Sequence, residues 1–398
     1  MSHEPLKERA TTAARRAFGN DWTADGWSIA PGRIELIGNH IDYNGGPVLA
    51  GAIDRVIAIG TGPSSSTREI TVLATDVSQR PITIDPLTLG DWRATAQDRG
   101  PVVYLKGIVA SLAARGIPFR TGVTLAVAGD IPRGFGVSSS AAFCLATILS
   151  LTIDEIDARE MVAIAREAEH RAGSPVGAMD QSASVAGNVI LFDGTDNSFI
   201  NITPDLGDHV FAIASSGVDR SLRRSSYGTR VQEAETARIQ LETAYGLDLP
   251  SLAALEPFWD EIEVTISNHL DAPLVKRVRH VVTETRRVQD AVTAIERNDW
   301  SRFGELMNES GESSAEDYEI SHPEVEELVA LLRRQDGVLG ARMMGGGEGG
   351  PALALLHKDA AADVAAALDR DYYATHELRP KNGAPFQICT FGPGAHRE

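Results

Sequence analysis

The 398-residue sequence predicts an α+β protein of two lobes with the active site in the cleft between them. Three observations lead there. At roughly 100–200 residues per domain the chain is too long for one small core. Its first half alternates strand-like and helix-like segments, whereas residues 273 to 335 are almost wholly helical in pattern and are followed by further strands. No segment repeats at a period of about 20–50 residues, and no low-complexity linker intervenes. The halves therefore divide softly between residues 185 and 210, and we set the expected lobes at 1–195 and 196–398.

Taken in order, "MSHEPLKERATTAARRAFG" reads as an amphipathic first helix, since charges run through it and no apolar signal core is present. The segments "WSIAPGRIELIG", "VIAIGTG", "EITVLATD" and "VTLAVAGDIP" are short apolar runs bounded by turn residues, the pattern of strands. Between the last two, "VVYLKGIVASLAARG" has apolar residues at helical spacing and ends in glycine. A second helix is expected from Ser138 through "SSSAAFCLATILSLT" and a third through "DEIDAREMVAIAREAEHRAG". "NVILFDG" and "HVFAIASSG" supply strands near the middle. The second half continues with "PLVKRVRHVVTETRRVQDAVTAIERND", "SRFGELMNES" and "HPEVEELVALLRRQ" as helices. It closes with the strands "VLGARMMGGG" and "PALALLH", the helix "KDAAADVAAALDRDYY" and a last strand in "PFQICTFGPG".

Composition narrows the function. The chain is 43% apolar and 23% charged, ordinary for a globular protein, with a formal net charge of −18. That charge repels phosphate backbones and anionic lipid, which argues against nucleic-acid and membrane partners. An anionic substrate would need a local basic pocket or a metal ion. No run reaches the ~18 apolar residues of a membrane span. Cys144 and Cys389 sit in apolar contexts without metal or disulfide spacing, which fits a reducing cytoplasm.

Four stretches concentrate groups that chemistry uses. "APGRIELIGNHIDYNGG", residues 30 to 46, crowds Arg33, Asn39, His40 and Asp42 around a short apolar run; its plain structural reading is a strand and a hairpin turn. "GDIPRGFGVSSSAAF" sets Gly134 and Gly136 before Ser138, Ser139 and Ser140 at the start of a helix. Backbone N–H groups and the positive helix end would converge there on an anion, and hydroxyls would add donors or magnesium ligands. The competing reading is a simple N-cap. "GSPVGAMDQSAS" presents Asp180 after a glycine-punctuated loop, again with an N-cap as the alternative. "GGGEGG" at 345 to 350 has more backbone freedom than a hairpin needs, which suits close approach to a ligand.

In this order and at these separations, "PGRIELIGNHIDYNGG", "PRGFGVSSSAA" and "GARMMGGGEGG" resemble the three motifs of the GHMP sugar and metabolite kinases, and within them the galactokinases. Supporting stretches such as "AGSPVGAMDQ", "RVRHVVTETRRV" and "EDYEISHPEVEELV" carry the resemblance over nearly the whole chain. It implies a two-lobed GHMP-kinase-like fold and transfer of the ATP γ-phosphate to the anomeric hydroxyl of galactose or a close relative, with Mg²⁺. By matched position, Asp180 would be the catalytic aspartate and Arg33 the arginine that helps hold it ionised. Asn39, His40, Asp42, Gly177 and Tyr227 would contact the sugar. Tyr104, Lys106, Gly134, Gly136, Ser138, Ser139, Ser140, Gly346 and Gly347 would bind ATP, and Ser139 and Glu169 would hold the metal. The resemblance further implies a cytoplasmic monomer or homodimer whose partners are a sugar and ATP.

Departures from the family pattern leave alternatives open. Galactokinases usually read "GEHTDY" where this chain reads "GNHIDY", so Asn39 replaces a sugar-binding glutamate. An amide does not repel a carboxylate, which suggests galacturonate or another sugar acid; Arg220, Arg223 and Arg224 could partner its carboxylate, although the simpler reading of them is a solvated basic patch. The family's metal-binding acid aligns with Ala168, and a one-residue shortening of the helix end restores Glu169. Glu348 and Pro351 stand where the third motif has an aromatic residue and a cysteine, and "PVVYLKG" lacks a tryptophan and an asparagine of the adenine pocket. These changes raise a third reading, a catalytically silent sugar sensor.

Overall fold

The crowded first motif forms the end of one strand of the larger of two sheets and the turn that follows it. In a computed structural model, which describes residues 3–398 apart from 79, 96, 133, 175, 219–225 and 377–383, seven strands follow in chain order. They are β1 (Gly26–Ile37), β2 (Pro47–Pro63), β3 (Ile70–Ala74), β4 (Ile82–Ile84), β5 (Val123–Gly129), β6 (Val189–Asp193) and β7 (Ser198–Ile202). β1 and β2 are the expected hairpin, joined through a 3₁₀ turn at Asp42–Asn44 and Gly45 at φ 77°. β2 pairs along its first part with β6 and along its second part with β5, so the sheet forks at this long strand.

Register shifts interrupt the β1–β2 ladder between Pro31 and Arg33 and again between Glu35 and Ile37. Such bulges turn side chains away from the regular alternation. The stretch from Arg33 to Glu35 lies between them.

The first helix, Glu4–Phe18, buries Leu6, Ala10 and Ala14, a stripe at four-residue spacing, against Ala58, Ala126 and Ala128 of this sheet. The helices Pro101–Ala114, Ser139–Leu151 and Ala158–Arg171 join the main core. Ser139–Leu151 is apolar all round, with every residue from Ala141 to Ile148 buried, as a central helix must be.

The second sheet holds β8 (His209–Ser215), β9 (Val338–Met343), β10 (Pro351–His357) and β11 (Phe386–Cys389), antiparallel in the order β11-β8-β10-β9. The helices Ala272–Glu296, Trp300–Glu316 and Pro323–Arg333 occupy the expected helical run. A short β12 (His396–Arg397) returns to pair with β1. β7 and β12 thus lie beyond residue 195 in the chain but within the first sheet, so chain order and lobe membership part company there. The helix Tyr227–Tyr245 buries only Arg230, Ala234, Ala237 and Leu241, a stripe too poor in large apolar residues to stand out in the sequence.

Two buried contacts fasten the halves together beneath the first motif. Arg342 of β9 donates to Glu35 Oε1 at 2.8 Å, with both side chains nearly inaccessible. Glu284 of the helix Ala272–Glu296 accepts the backbone N–H groups of Gly38 at 2.9 Å and Asn39 at 3.2 Å. No helix among the described residues is long and apolar enough to cross a membrane.

Candidate active site

Arg33, Ser138 and Asp180 come from three distant segments and meet at one carboxylate. Asp180 is the second residue of the helix Met179–Ala186, yet its side chain does not cap that helix. Arg33 donates to Oδ1 from Nε at 2.8 Å and from a terminal nitrogen at 2.7 Å, and Ser138 donates its hydroxyl to Oδ2. The other terminal nitrogen of Arg33 donates to the Gly136 carbonyl at 2.7 Å, which ties the serine-rich loop to the same guanidinium. Arg33 is 6% exposed and Asp180 24%, so the carboxylate can be reached by a ligand while its partner is locked.

Ser138 adopts φ 55°, ψ 48°, a left-handed conformation, and does not cap the helix that begins at Ser139. Among the described residues no side chain caps it. The N-cap reading of the three serines therefore fails, and the helix's first N–H groups are left for an anion.

These groups line a cavity of about 210 Å³. Gly134, Gly136 and Ser138–Ser140 form one wall, with His40, Asp42, Gly177, Tyr227 and Gly345–Gly346 around the rest. His40 sits at φ 61° with its Nδ1 2.8 Å from the Tyr43 hydroxyl and its ring 5.1 Å from that of Tyr227. Asp42 stands so close to Gly177 that a Cβ there would lie 1.9 Å from its Oδ2. The Asp42 carboxyl is pushed up to about 7, first by loss of hydration and then by the like charges of Glu35 and Asp180.

A second, mostly apolar cavity of about 350 Å³ adjoins the first, sharing Ser139 and Ser140 and lined by Tyr104, Phe143, Ile57 and Val77. Glu169 is buried behind the serines, where Gln181 donates to it and Ser140 hydrogen-bonds it. Burial pushes its carboxyl up to about 7. Among the described residues no three His, Cys, Asp or Glu side chains cluster to hold a metal unaided.

Several sequence-derived positions lie elsewhere. Asn39 is fully buried outside the cavity lining: its amide nitrogen donates to Glu35 Oε1 and to the Gly345 carbonyl, both at 2.8 Å. Lys106 lies over the Trp92 ring, 5.5 Å from its centre, and lines neither cavity. Gly347 is also off both linings, pressed so tightly on Ile320 that a Cβ would come within 2.3 Å of its carbonyl oxygen. Glu348 turns away from the cavity and accepts the Ser226 N–H at 3.0 Å, beside the start of the helix that presents Tyr227. Arg220, Arg223 and Arg224 lie outside the described residues. Conversely, Glu35 lines the cavity although its position in an apolar strand gave no sign of it.

Comparison with known proteins gives this arrangement a lineage. Residues 15–63 match the galactokinase galactose-binding signature, residues 103–188 the GHMP kinases N terminal domain and residues 291–374 the GHMP kinases C terminal domain. A curated galactokinase of Streptococcus suis (strain 05ZYH33) is 34% identical over 370 residues, 90% of either chain. The chain belongs to the galactokinase family. Galactokinases are GHMP sugar kinases, and this member is accordingly a phosphotransferase of that type. The structure of Lactococcus lactis galactokinase complexed with galactose superimposes with a TM-score of 0.86 at 27% identity, covering 98% of this chain and 99% of that one. Methanococcus jannaschii mevalonate kinase shares the fold at a TM-score of 0.66 and 16% identity, over 92% of this chain and 98% of its own.

Proposed function

We propose that this galactokinase-family protein transfers the γ-phosphoryl group of ATP to the anomeric hydroxyl of galactose, with Asp180 as proton acceptor. The observation that carries the proposal is the Asp180 carboxylate, clamped by Arg33 and Ser138 between a polar cavity and an uncapped helix start that adjoins an apolar one. The polar cavity suits a hexose, the helix start a polyphosphate, and the Tyr104 cavity a purine.

In the reaction the sugar's anomeric oxygen attacks the γ-phosphorus, its O–H proton passes to an Asp180 oxygen, and the bond from the γ-phosphorus to the bridging oxygen breaks with its electrons leaving on ADP. Positioning and fixed charge do most of such work, because the transition state is loose and its charge is spread over phosphoryl oxygens. Arg33 fixes the acceptor's geometry, and the N–H groups beginning at Ser139 face the charge that moves onto the nucleotide.

Glu169 with the Ser139 and Ser140 hydroxyls is an all-oxygen donor set with one buried acid, which fits Mg²⁺ sharing its remaining ligands with phosphate and water. When bound, the ion would neutralise phosphate charge. Galactose as acceptor is favoured by the signature over residues 15–63 and by the galactose named with the Lactococcus lactis structure. We place the reaction in the cytoplasm, where ATP is available and the unpaired Cys144 and Cys389 would stay reduced.

The test is ADP release with a panel of hexoses and hexuronic acids. Turnover fastest on galactose supports the proposal. Sugar and nucleotide binding without turnover on any sugar would make the protein a silent sensor.

A further inference from the structure

We infer that Glu35, not Asn39, is the residue that reads the sugar, and that it restricts the cavity to uncharged hexoses. This deepens the proposed galactose kinase reading and rests on it. The two side chains are four residues apart on the end of β1 and the turn after it, and they bond each other. Asn39 spends both amide hydrogens internally, on Glu35 and on the Gly345 carbonyl, and its side chain is wholly inaccessible. It has no donor left for a ligand.

Glu35 is placed differently. It lines the cavity beside His40, Asp42 and Asp180. Its Oε1 takes hydrogens from Asn39 and from Arg342, each at 2.8 Å, while no partner among the described residues engages Oε2. Arg342 is wholly buried and also donates to the Glu35 carbonyl at 3.2 Å, so the carboxylate is held rather than mobile. One oxygen is thus anchored and the other is available to accept from a sugar hydroxyl.

The same geometry opposes an acid. Glu35, Asp42 and Asp180 bring three carboxyl groups to a cavity of about 210 Å³. Among the described residues Arg33 is the one Arg or Lys on its lining, and its nitrogens are committed to Asp180 and Gly136. Among the described residues no uncommitted Arg or Lys lines the cavity, so a uronate there would meet carboxylates rather than a free cation, which weakens binding by about tenfold or more. The amide at 39, with both hydrogens spent on Glu35 and the Gly345 carbonyl, offers a sugar acid nothing.

The test combines binding and turnover. Calorimetric titration of the wild-type protein with galactose and with galacturonate should show at least a tenfold preference for galactose; equal or tighter galacturonate binding overturns the inference. That titration needs no turnover, so its failure is distinguishable from failure of the kinase assignment. In Glu35→Gln we expect the galactose KM to rise about tenfold and the preference over galacturonate to shrink by a similar factor, with the ATP KM within twofold of wild type. A purely structural role for the Glu35–Arg342 pair would instead shift both KM values together, and a galactose KM within twofold of wild type would equally overturn the inference. Should that variant not fold, Glu35→Gln combined with Asn39→Glu, which returns a carboxylate from the neighbouring position, is read by the same two KM values.

Discussion

Arg33 meets Asp180 through two nitrogens on a single carboxylate oxygen, at 2.8 and 2.7 Å, and leaves the other oxygen to Ser138. Lysine can supply the charge at position 33 but neither the second nitrogen nor the reach to the Gly136 carbonyl. Arg33→Lys is therefore expected to lower kcat about a hundredfold. Ser138→Ala removes one hydrogen bond to a charged group, about 1.5–3 kcal/mol, or roughly ten- to a hundredfold in rate. Steady-state kinetics with galactose and ATP check both, and a kcat within threefold of wild type in either would show that this oxygen-by-oxygen clamp is idle.

Asp42 should make sugar affinity depend on pH. Its carboxyl sits near 7, raised by lost hydration and by Glu35 and Asp180. In the proposed site, sugar hydroxyls would donate to the ionised form, so binding would favour deprotonation and affinity would rise with pH. Between pH 6 and 8 the galactose dissociation constant is expected to fall about tenfold, the range over which such a group ionises. Calorimetric titrations of the wild type and of Asp42→Asn measure this, and the variant should be flat over the same interval.

Gly177 has no room for a side chain. With Oδ2 of Asp42 1.9 Å from where a Cβ would stand, Gly177→Ala must displace either that carboxylate or the loop that leads to Asp180 three residues later. We expect a higher galactose KM together with a lower kcat. An unchanged KM would mean that Asp42 does not touch the sugar.

His280 carries a stability prediction. Its ring is buried between the Asn39 carbonyl and the Ser313 hydroxyl, each 2.9 Å away, and burial lowers its pKa to about 4. A folded value below the unfolded 6.5 means that the native state prefers the neutral ring. The stability this group contributes is complete above about pH 6.5 and is lost as pH falls towards 4. At pH 5 the loss is ~2 kcal/mol. Urea unfolding at pH 7.5 and pH 5 should show it, and His280→Gln, which cannot take up the proton, should show a smaller difference by about that amount.

Much of the site could be read from short motifs because each polar residue interrupts an apolar or glycine-rich context. Arg33, Ser138 and Asp180 stood out in this way, and the structure brings them within hydrogen-bonding distance. What could not be read were the buried polar residues whose partners come from the other half of the chain. Glu35 looks like the outward residue of an alternating strand, and only Arg342, some 307 positions away, explains its burial. Glu284 and His280 sit in a charged helical run that reads as solvated, yet they grip the backbone of Gly38 and Asn39. Asn39 and Lys106 match the family by motif position alone, which says nothing about which side of a turn or helix faces the ligand. Glu348 is explained by a helix start, at Tyr227, that had no sequence signature of its own.

The most direct measurement is phosphorus and carbon NMR of the products formed from ATP and galactose labelled with ¹³C at the anomeric carbon. The account predicts a phosphorus-coupled anomeric carbon and ADP in equal amounts from the wild-type protein, and a rate lower by ~10²–10⁴ in Asp180→Asn. Phosphate on any other carbon, no sugar phosphate at all, or an Asp180→Asn protein as fast as the wild type would contradict it.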